Sequence, residues 1–374
     1  MKFNVSSSRL YAQLQAVSRI IAPKNSMKIL EDVLFDLHDG MLVLTASDGE
    51  TTICTSLEVQ DAEGDGKVAF AGKLLLETLR EFSEQPLFFE IDDQNFGMNV
   101  TSENGTYSFV GVNGNEYPQM PQPEEQNRSF RMSANVLLSA IKKTIFCTAD
   151  DELRPVMNGI YFDLKENYLA MVATDAHRLV RLRRTDITTA EPFSFILPKK
   201  PANLLLNVLG KDTEEVEIVC GSKNIRFTFG NTLIICRQIE GRYPNYDAVI
   251  PQNNSNHVVV DRQTIMNACK RVAVFANTGT SLLRLALSQN LITISAQDID
   301  FSTSAEETIP CSYESIPMAV GFKAPFLIEM IGSITSSEVM FQLSDPARAG
   351  LILPTEDAEN EQLLMLLMPM LLND

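Results

Sequence analysis

The residues best equipped for chemistry in this 374-residue chain lie together at Asp175, His177 and Arg178. Only three histidines are present, and this one has an acid two positions before it and an arginine directly after it. On an extended backbone, residues i and i+2 share a face, so the Asp175 carboxylate is placed to orient the His177 imidazole for proton transfer. That makes a hydrolase using Asp175 and His177 one reading. Its weakness is the nucleophile, because no motif marks a serine or cysteine nearby. The alternative is structural: Asp175 ends a strand and His177 packs or hydrogen-bonds.

Other chemistries lack their signatures. The six cysteines (Cys54, Cys147, Cys220, Cys236, Cys269, Cys311) are scattered, and none falls in a C-x-x-C pair. A zinc site or disulfide framework is therefore not expected, and a reducing cytoplasm is the default. There is no G-x-x-x-x-G-K-[ST] loop, no strand-borne G-x-G-x-x-G, no G-x-S-x-G elbow and no H-E-x-x-H helix. No cofactor or metal is expected. The N-terminus turns polar at Asn4, which reads against a signal peptide. The longest apolar run, Leu363 to Leu372, is half the ~20 residues that cross a bilayer.

The apolar, β-branched run from Tyr168 to Ala173 leads into Thr174-Asp175 and predicts a buried strand that presents His177 and Arg178 from a following loop. Asp175 is also the middle member of a repeat. Asp48, Asp175 and Asp298 end similar strands at intervals of 127 and 123 residues. Lys73, Lys199 and Lys323 each open a short helical pattern, 126 and 124 apart, and Pro118, Pro244 and Pro369 recur at 126 and 125. Three landmarks with one period define a tandem repeat of about 125 residues. Within each copy, a strand, a helix and further strands occur twice. The first helix is predicted over Arg9–Ile21, with Leu10, Leu14, Val17 and Ile21 on one face.

The fold class expected is α+β: three repeated domains, each of two βαβββ-like units. Alternating strands such as Ile225-Arg226-Phe227-Thr228-Phe229 favour antiparallel sheets with one covered face. The boundaries expected are 1–127, 128–253 and 254–374, because Tyr117 to Asn127 is a proline-rich acidic connector and Ile250 to Asn256 is a second one.

The formal charge of −17 argues against indiscriminate adhesion to nucleic acid. It is unevenly spread: residues 1–127 carry 8 basic and 20 acidic groups, 128–252 carry 17 and 14, and 253–374 carry 6 and 14. A basic middle segment in an acidic chain suggests cations gathered for a purpose.

Met157-Asn158-Gly159-Ile160-Tyr161-Phe162, the stretch from Val172 to Leu179, Leu197-Pro198-Lys199-Lys200, the stretch from Gly241 to Tyr246, and Met368-Pro369-Met370 together resemble the bacterial DNA polymerase III beta subunit, the replicative sliding clamp. The resemblance spans all three segments in order. It implies the DNA-clamp fold, with antiparallel sheets outside and helices inside. It also implies a head-to-tail homodimeric ring around double-stranded DNA, with processivity conferred by tethering the polymerase. The partners implied are the DNA polymerase III catalytic subunit, the clamp loader and other clamp-motif proteins.

Carried over residue by residue, the resemblance places a peptide-binding groove between domains 2 and 3. Its wall would be Met157, Thr174, Ala176, His177, Arg178, Leu179, Pro244, Val249, Phe326, Met368, Pro369 and Met370, with His177 and Arg178 as rim donors. Candidate DNA-facing cations are Lys24, Lys73, Arg80, Arg154, Lys199 and Lys200. Such contacts would be sequence-blind, since phosphate contacts position without reading bases. The sequence departs from the family at Ala176, where many relatives carry glycine or serine, and at Ala248 and the Leu371 end. A peptide-binding scaffold with no DNA role is the other reading.

Overall fold

The computed structural model describes residues 1–22, 25, 27–92, 94–121, 127–210 and 213–372. The first segment runs β1 (Lys2–Ser6), α1 (Ser7–Ser18), β2 (Asp32–His38), β3 (Met41–Ser47), β4 (Thr51–Glu58) and a short β5 (Gln60–Glu63). It continues β6 (Gly66–Ala71), α2 (Gly72–Arg80), β7 (Pro86–Ile91), β8 (Gly97–Thr101), β9 (Thr106–Val110) and β10 (Val112–Asn113). The second runs β11 (Arg128–Ser133), α3 (Ala134–Thr144), β12 (Gly159–Leu164), β13 (Leu169–Thr174) and β14 (Arg178–Arg184), then β15 (Phe193–Pro198), α4 (Lys199–Val208), β16 (Glu215–Cys220), β17 (Asn224–Phe229) and β18 (Thr232–Arg237). The third runs β19 (Asn256–Asp261), α5 (Arg262–Ala273), β20 (Leu282–Ser288), β21 (Leu291–Asp298) and β22 (Thr303–Pro310), then β23 (Met318–Lys323), α6 (Ala324–Ser333), β24 (Glu338–Leu343), β25 (Gly350–Pro354) and β26 (Glu361–Leu367). A strand, a helix and three strands thus occur six times, the unit expected from the repeat.

The helices form where a cap meets an apolar stripe. In α1, Ser6 accepts the Arg9 amide at 3.1 Å, and Leu10, Leu14 and Val17 are buried one and two turns on. The helix begins and ends earlier than the predicted Arg9–Ile21. The Ser6 cap starts it at Ser7, and tight backbone bonds from Ile20 to Val17 and Ile21 to Ser18 close it. In α5, Asp261 accepts the Thr264 amide at 2.7 Å, and Ile265, Cys269 and Val272 are buried.

Two compact units result. One comprises residues 1–138 and 200–238, the other 139–199 and 239–374, so the second segment contributes to both. The first unit contains a five-stranded sheet, β5-β1-β7-β8-β9, and a nine-stranded sheet, β10-β6-β2-β3-β4-β18-β17-β16-β11. The second contains an eight-stranded sheet, β15-β12-β13-β14-β26-β25-β24-β19, and a four-stranded sheet, β22-β21-β20-β23. Every strand pairing among the described residues is antiparallel.

Most strands alternate, as β16 and β17 do with Val216, Ile218, Ile225 and Phe227 inward. β13 is buried at all six positions. It lies between β12 and β14 in the sheet interior, which explains its unbroken run of apolar and small residues.

Candidate functional site

The turn between β13 and β14 is built by one carboxylate. Asp175 Oδ1 accepts the amides of His177 and Arg178, both at 2.9 Å, and Oδ2 accepts Arg178 Nε at 2.9 Å. Thr174 Oγ1 donates to the Arg178 carbonyl at 2.7 Å and accepts the Ala176 amide at 3.2 Å. The tight turn holds Ala176 at φ 75°, in the left-handed region where glycine is at ease. With Asp175 so engaged, no hydrogen bond joins it to the exposed His177 ring. The paired acid and base of the hydrolase reading are therefore not assembled.

Arg178 corrects a second expectation. It is not a donor on the rim but is 8% exposed, and its guanidinium also donates to Glu329 at 2.5 Å and to the Phe146 carbonyl at 2.6 Å. It stacks 4.0 Å from the Phe326 ring centroid and 5.5 Å from that of Phe146. The planar fork satisfies three partners while its faces meet aromatic rings, an arrangement that suits arginine and not lysine. Arg178 ties the 174–179 turn to α6.

The end of the chain meets the same turn. The Met368 amide donates to the His177 carbonyl at 2.9 Å, and the Met370 amide to the Gly321 carbonyl at 2.8 Å. Gly321 must lack a side chain, because a Cβ there would lie 2.9 Å from the Met370 carbonyl oxygen. Beneath, Leu179 packs in a cluster with Val172, Tyr243, Tyr246, Ile250 and Leu366. Being 3% exposed, it is floor and not wall, and Thr174 is buried likewise. The Tyr243 hydroxyl donates to the Val172 carbonyl at 3.5 Å and that of Tyr246 to Asp163 at 2.8 Å, which fixes the segment carrying Pro244 and Val249. Burial raises the pKa of both phenols well above the usual range, so they stay protonated donors.

Of the twelve expected wall residues, Val249 and Met368 offer open apolar surface, at 58% and 43% exposure, and Met157, Pro244, Phe326, Pro369 and Met370 are half-buried. Leu371, not expected, adds surface at 84% exposure. Glu329, Phe146, Tyr243 and Tyr246 were also missed. Glu329 lies 151 residues from Arg178, and no local pattern couples the two.

The candidate cations are scattered over helices and turns. Lys24 lies outside the described residues. Lys73 is exposed on α2 and makes no ion pair among the described residues. Arg80 pairs with Glu81 at 3.0 Å, Arg154 with Asp151 at 2.8 Å, Lys199 with Asp150 at 2.7 Å, and Lys200 with Asp48. The Arg154 hydrogen bond holds Asp151 below the usual carboxylate range. The pairs of Arg80, Arg154 and Lys199 are open to water and weakly held, so phosphates can displace their carboxylates, whereas Asp48 beneath Lys200 is enclosed.

Three segments of paired β-α-β-β-β units, in antiparallel sheets carrying helices, define an α+β DNA-clamp protein. Three family models match the chain: DNA polymerase III beta subunit, N-terminal domain, at residues 1–121, central domain at 131–245, and C-terminal domain at 247–370. The chain belongs to that family and is a replicative sliding clamp. It is 26% identical over 365 residues to the beta sliding clamp of Haemophilus influenzae, covering 98% of this chain and 99% of the relative. It is also similar to a solved structure of the Pseudomonas aeruginosa sliding clamp bound to griselimycin, at 26% identity, full coverage of both chains and a TM-score of 0.92. The Bacillus subtilis clamp structure, at 22% identity and TM-score 0.92, shares the fold.

Proposed function

We propose that two copies of this chain close head to tail into a ring around duplex DNA and tether a polymerase through the surface around Val249, Met368 and Leu371. One observation carries the ring. Where segments meet within the chain, the last strand of one β-α-β-β-β unit pairs antiparallel with the last strand of another: β4 with β18, and β14 with β26. Two such last strands, β9 and β22, remain at sheet edges. Pairing β9 of one copy with β22 of another repeats the rule a third time, and a two-fold operator then leaves neither edge open. Exposed Tyr107 and Val110 on β9, and Val274 and Phe275 after α5, supply the apolar surface such a contact buries.

In this reading the domains are 1–127, 128–253 and 254–374, and Lys73, Arg80, Arg154, Lys199 and Lys200 meet phosphates without reading sequence. A separate ATP-driven loader opens the ring, because the chain has no nucleotide motif. The protein works in the cytoplasm as a tether and not a catalyst, raising the polymerase's effective concentration at the primer end.

The test is sedimentation velocity with Val110→Asp beside the wild type, then retention on circular DNA. The wild type should be dimeric at micromolar concentration and released from DNA on linearisation, and the variant should be monomeric. A monomeric wild type, or binding indifferent to DNA ends, overturns the proposal.

A further inference from the structure

The turn that builds the 174–179 site occurs a second time with the same parts. Asp48 Oδ1 accepts the Glu50 and Thr51 amides at 2.9 and 2.7 Å, as Asp175 does for His177 and Arg178. Gly49 sits at φ 92° where Ala176 sits at 75°. The Ser47 amide donates to the hydroxyl of buried Tyr117 at 3.0 Å, and Tyr117 precedes Pro118 as Tyr243 precedes Pro244. The strand after each turn pairs with the last strand of another segment, so that Thr52 opposite Ile235 repeats Leu179 opposite Leu366.

At this first join lies a cavity of ≈ 320 Å³, at the small end of the range for ligand sites. Pro118, Pro121 and Ile235 give it an apolar side, and Lys223 and Arg237 give it two cations against the single acid Glu50. Neither cation stands free, so an incoming carboxylate exchanges for an existing contact and does not fill a vacancy.

We propose that this cavity is a second peptide-docking site, which takes an extended peptide carrying a small apolar anchor beside a carboxylate. The repeat supplies the frame, and substitution within it changes the preference. Thr52 stands where the first groove has Leu179, so the floor offers an anchor less apolar contact, and the ≈ 320 Å³ volume keeps that anchor small. Lys223 and Arg237 favour an acidic side chain. The class of occupant rests on reading the 174–179 site as a peptide groove, whereas the cavity and its charge do not.

The probe is a fluorescein-labelled Glu-Leu-Asp-Leu peptide titrated onto the full-length protein. The wild type should bind two peptides per chain. Lys223→Glu with Arg237→Glu should remove one site, weakening it about tenfold or more and abolishing its salt dependence. A chain ending before Met368 should lose only the other. If truncation changes nothing while the charge reversal removes a site, the groove reading fails and this one stands. A single wild-type site lost on truncation, or no binding at all, overturns the second site. Should the charge-reversed chain not fold, a benzophenone-bearing version of the peptide on the wild type decides. Adducts within 118–121 or 223–237 support the site, and adducts confined elsewhere overturn it.

Discussion

Arg178→Met removes the cation that joins the 174–179 turn to α6. Taking one partner from a buried ion pair costs about 3–5 kcal/mol, because the other charge is left without compensation. Here the penalty divides unequally. Glu329 is 50% exposed on its side chain and turns to water, so its share is of surface size, about 0–1 kcal/mol. Asp175, at 15%, stays enclosed but keeps two amide donors. The Phe146 carbonyl loses its guanidinium donor. The cation–π contact with Phe326 is lost, and a methionine sulfur in the same slot returns a comparable contact. The net is about 3 kcal/mol, a roughly 150-fold rise in the opening equilibrium of the turn.

A 374-residue chain of two compact units does not unfold in one step, so the assay is native-state hydrogen exchange at the His177 and Arg178 amides. Arg178→Lys should recover about 1 kcal/mol, since it keeps the charge and loses the fork. Glu329→Gln should cost under about 1 kcal/mol. On the function proposed above, peptide affinity should fall with the turn while the dimer persists. If Arg178→Met accelerates exchange by less than about threefold, or Glu329→Gln matches it, the assignment of Arg178 as a buried strut is wrong.

Ala176→Gly should stabilise the same turn by about 0.5–1 kcal/mol, because it relieves an L-residue at φ 75°; slower exchange at His177 checks it, and faster exchange refutes it. Lys143 and Glu361 form an ion pair with side chains 10% and 8% exposed. Lys143→Met should therefore cost about 3 kcal/mol, and adding Glu361→Leu should return most of it, read from native-state hydrogen exchange in α3 and β26. His38, hydrogen-bonded to Asp65 and beside Asp39, has its pKa raised above the usual 6.5. Its contribution to stability is full below pH ~6.5 and is lost as pH rises through the folded-state value; an NMR titration of His38 should show the raised midpoint, and Asp65→Asn should bring it down.

The fold was legible because repetition and periodicity are properties of sequence. Asp48, Asp175 and Asp298 cap the same turn, each accepting amides two and three residues ahead. Lys73, Lys199 and Lys323 lie at the starts of α2, α4 and α6, as their spacing implied. The burial of β13 followed from its composition alone. These signals are local, and each stretch carries its own evidence.

What each functional side chain does was decided elsewhere. Nothing near Arg178 in sequence shows that its guanidinium turns inward to Glu329 and Phe326, or that Asp175 engages the Arg178 guanidinium and not the His177 ring. Lys199 and Lys200 read as free cations until folding brings Asp150 and Asp48 beside them. The strand pairings that bring Ile235 beside Thr52 and Leu366 beside Leu179 span more than 180 residues. Backbone hydrogen bonds make those pairings, and they are indifferent to side-chain identity, so the sequence carries the strands but not their partners.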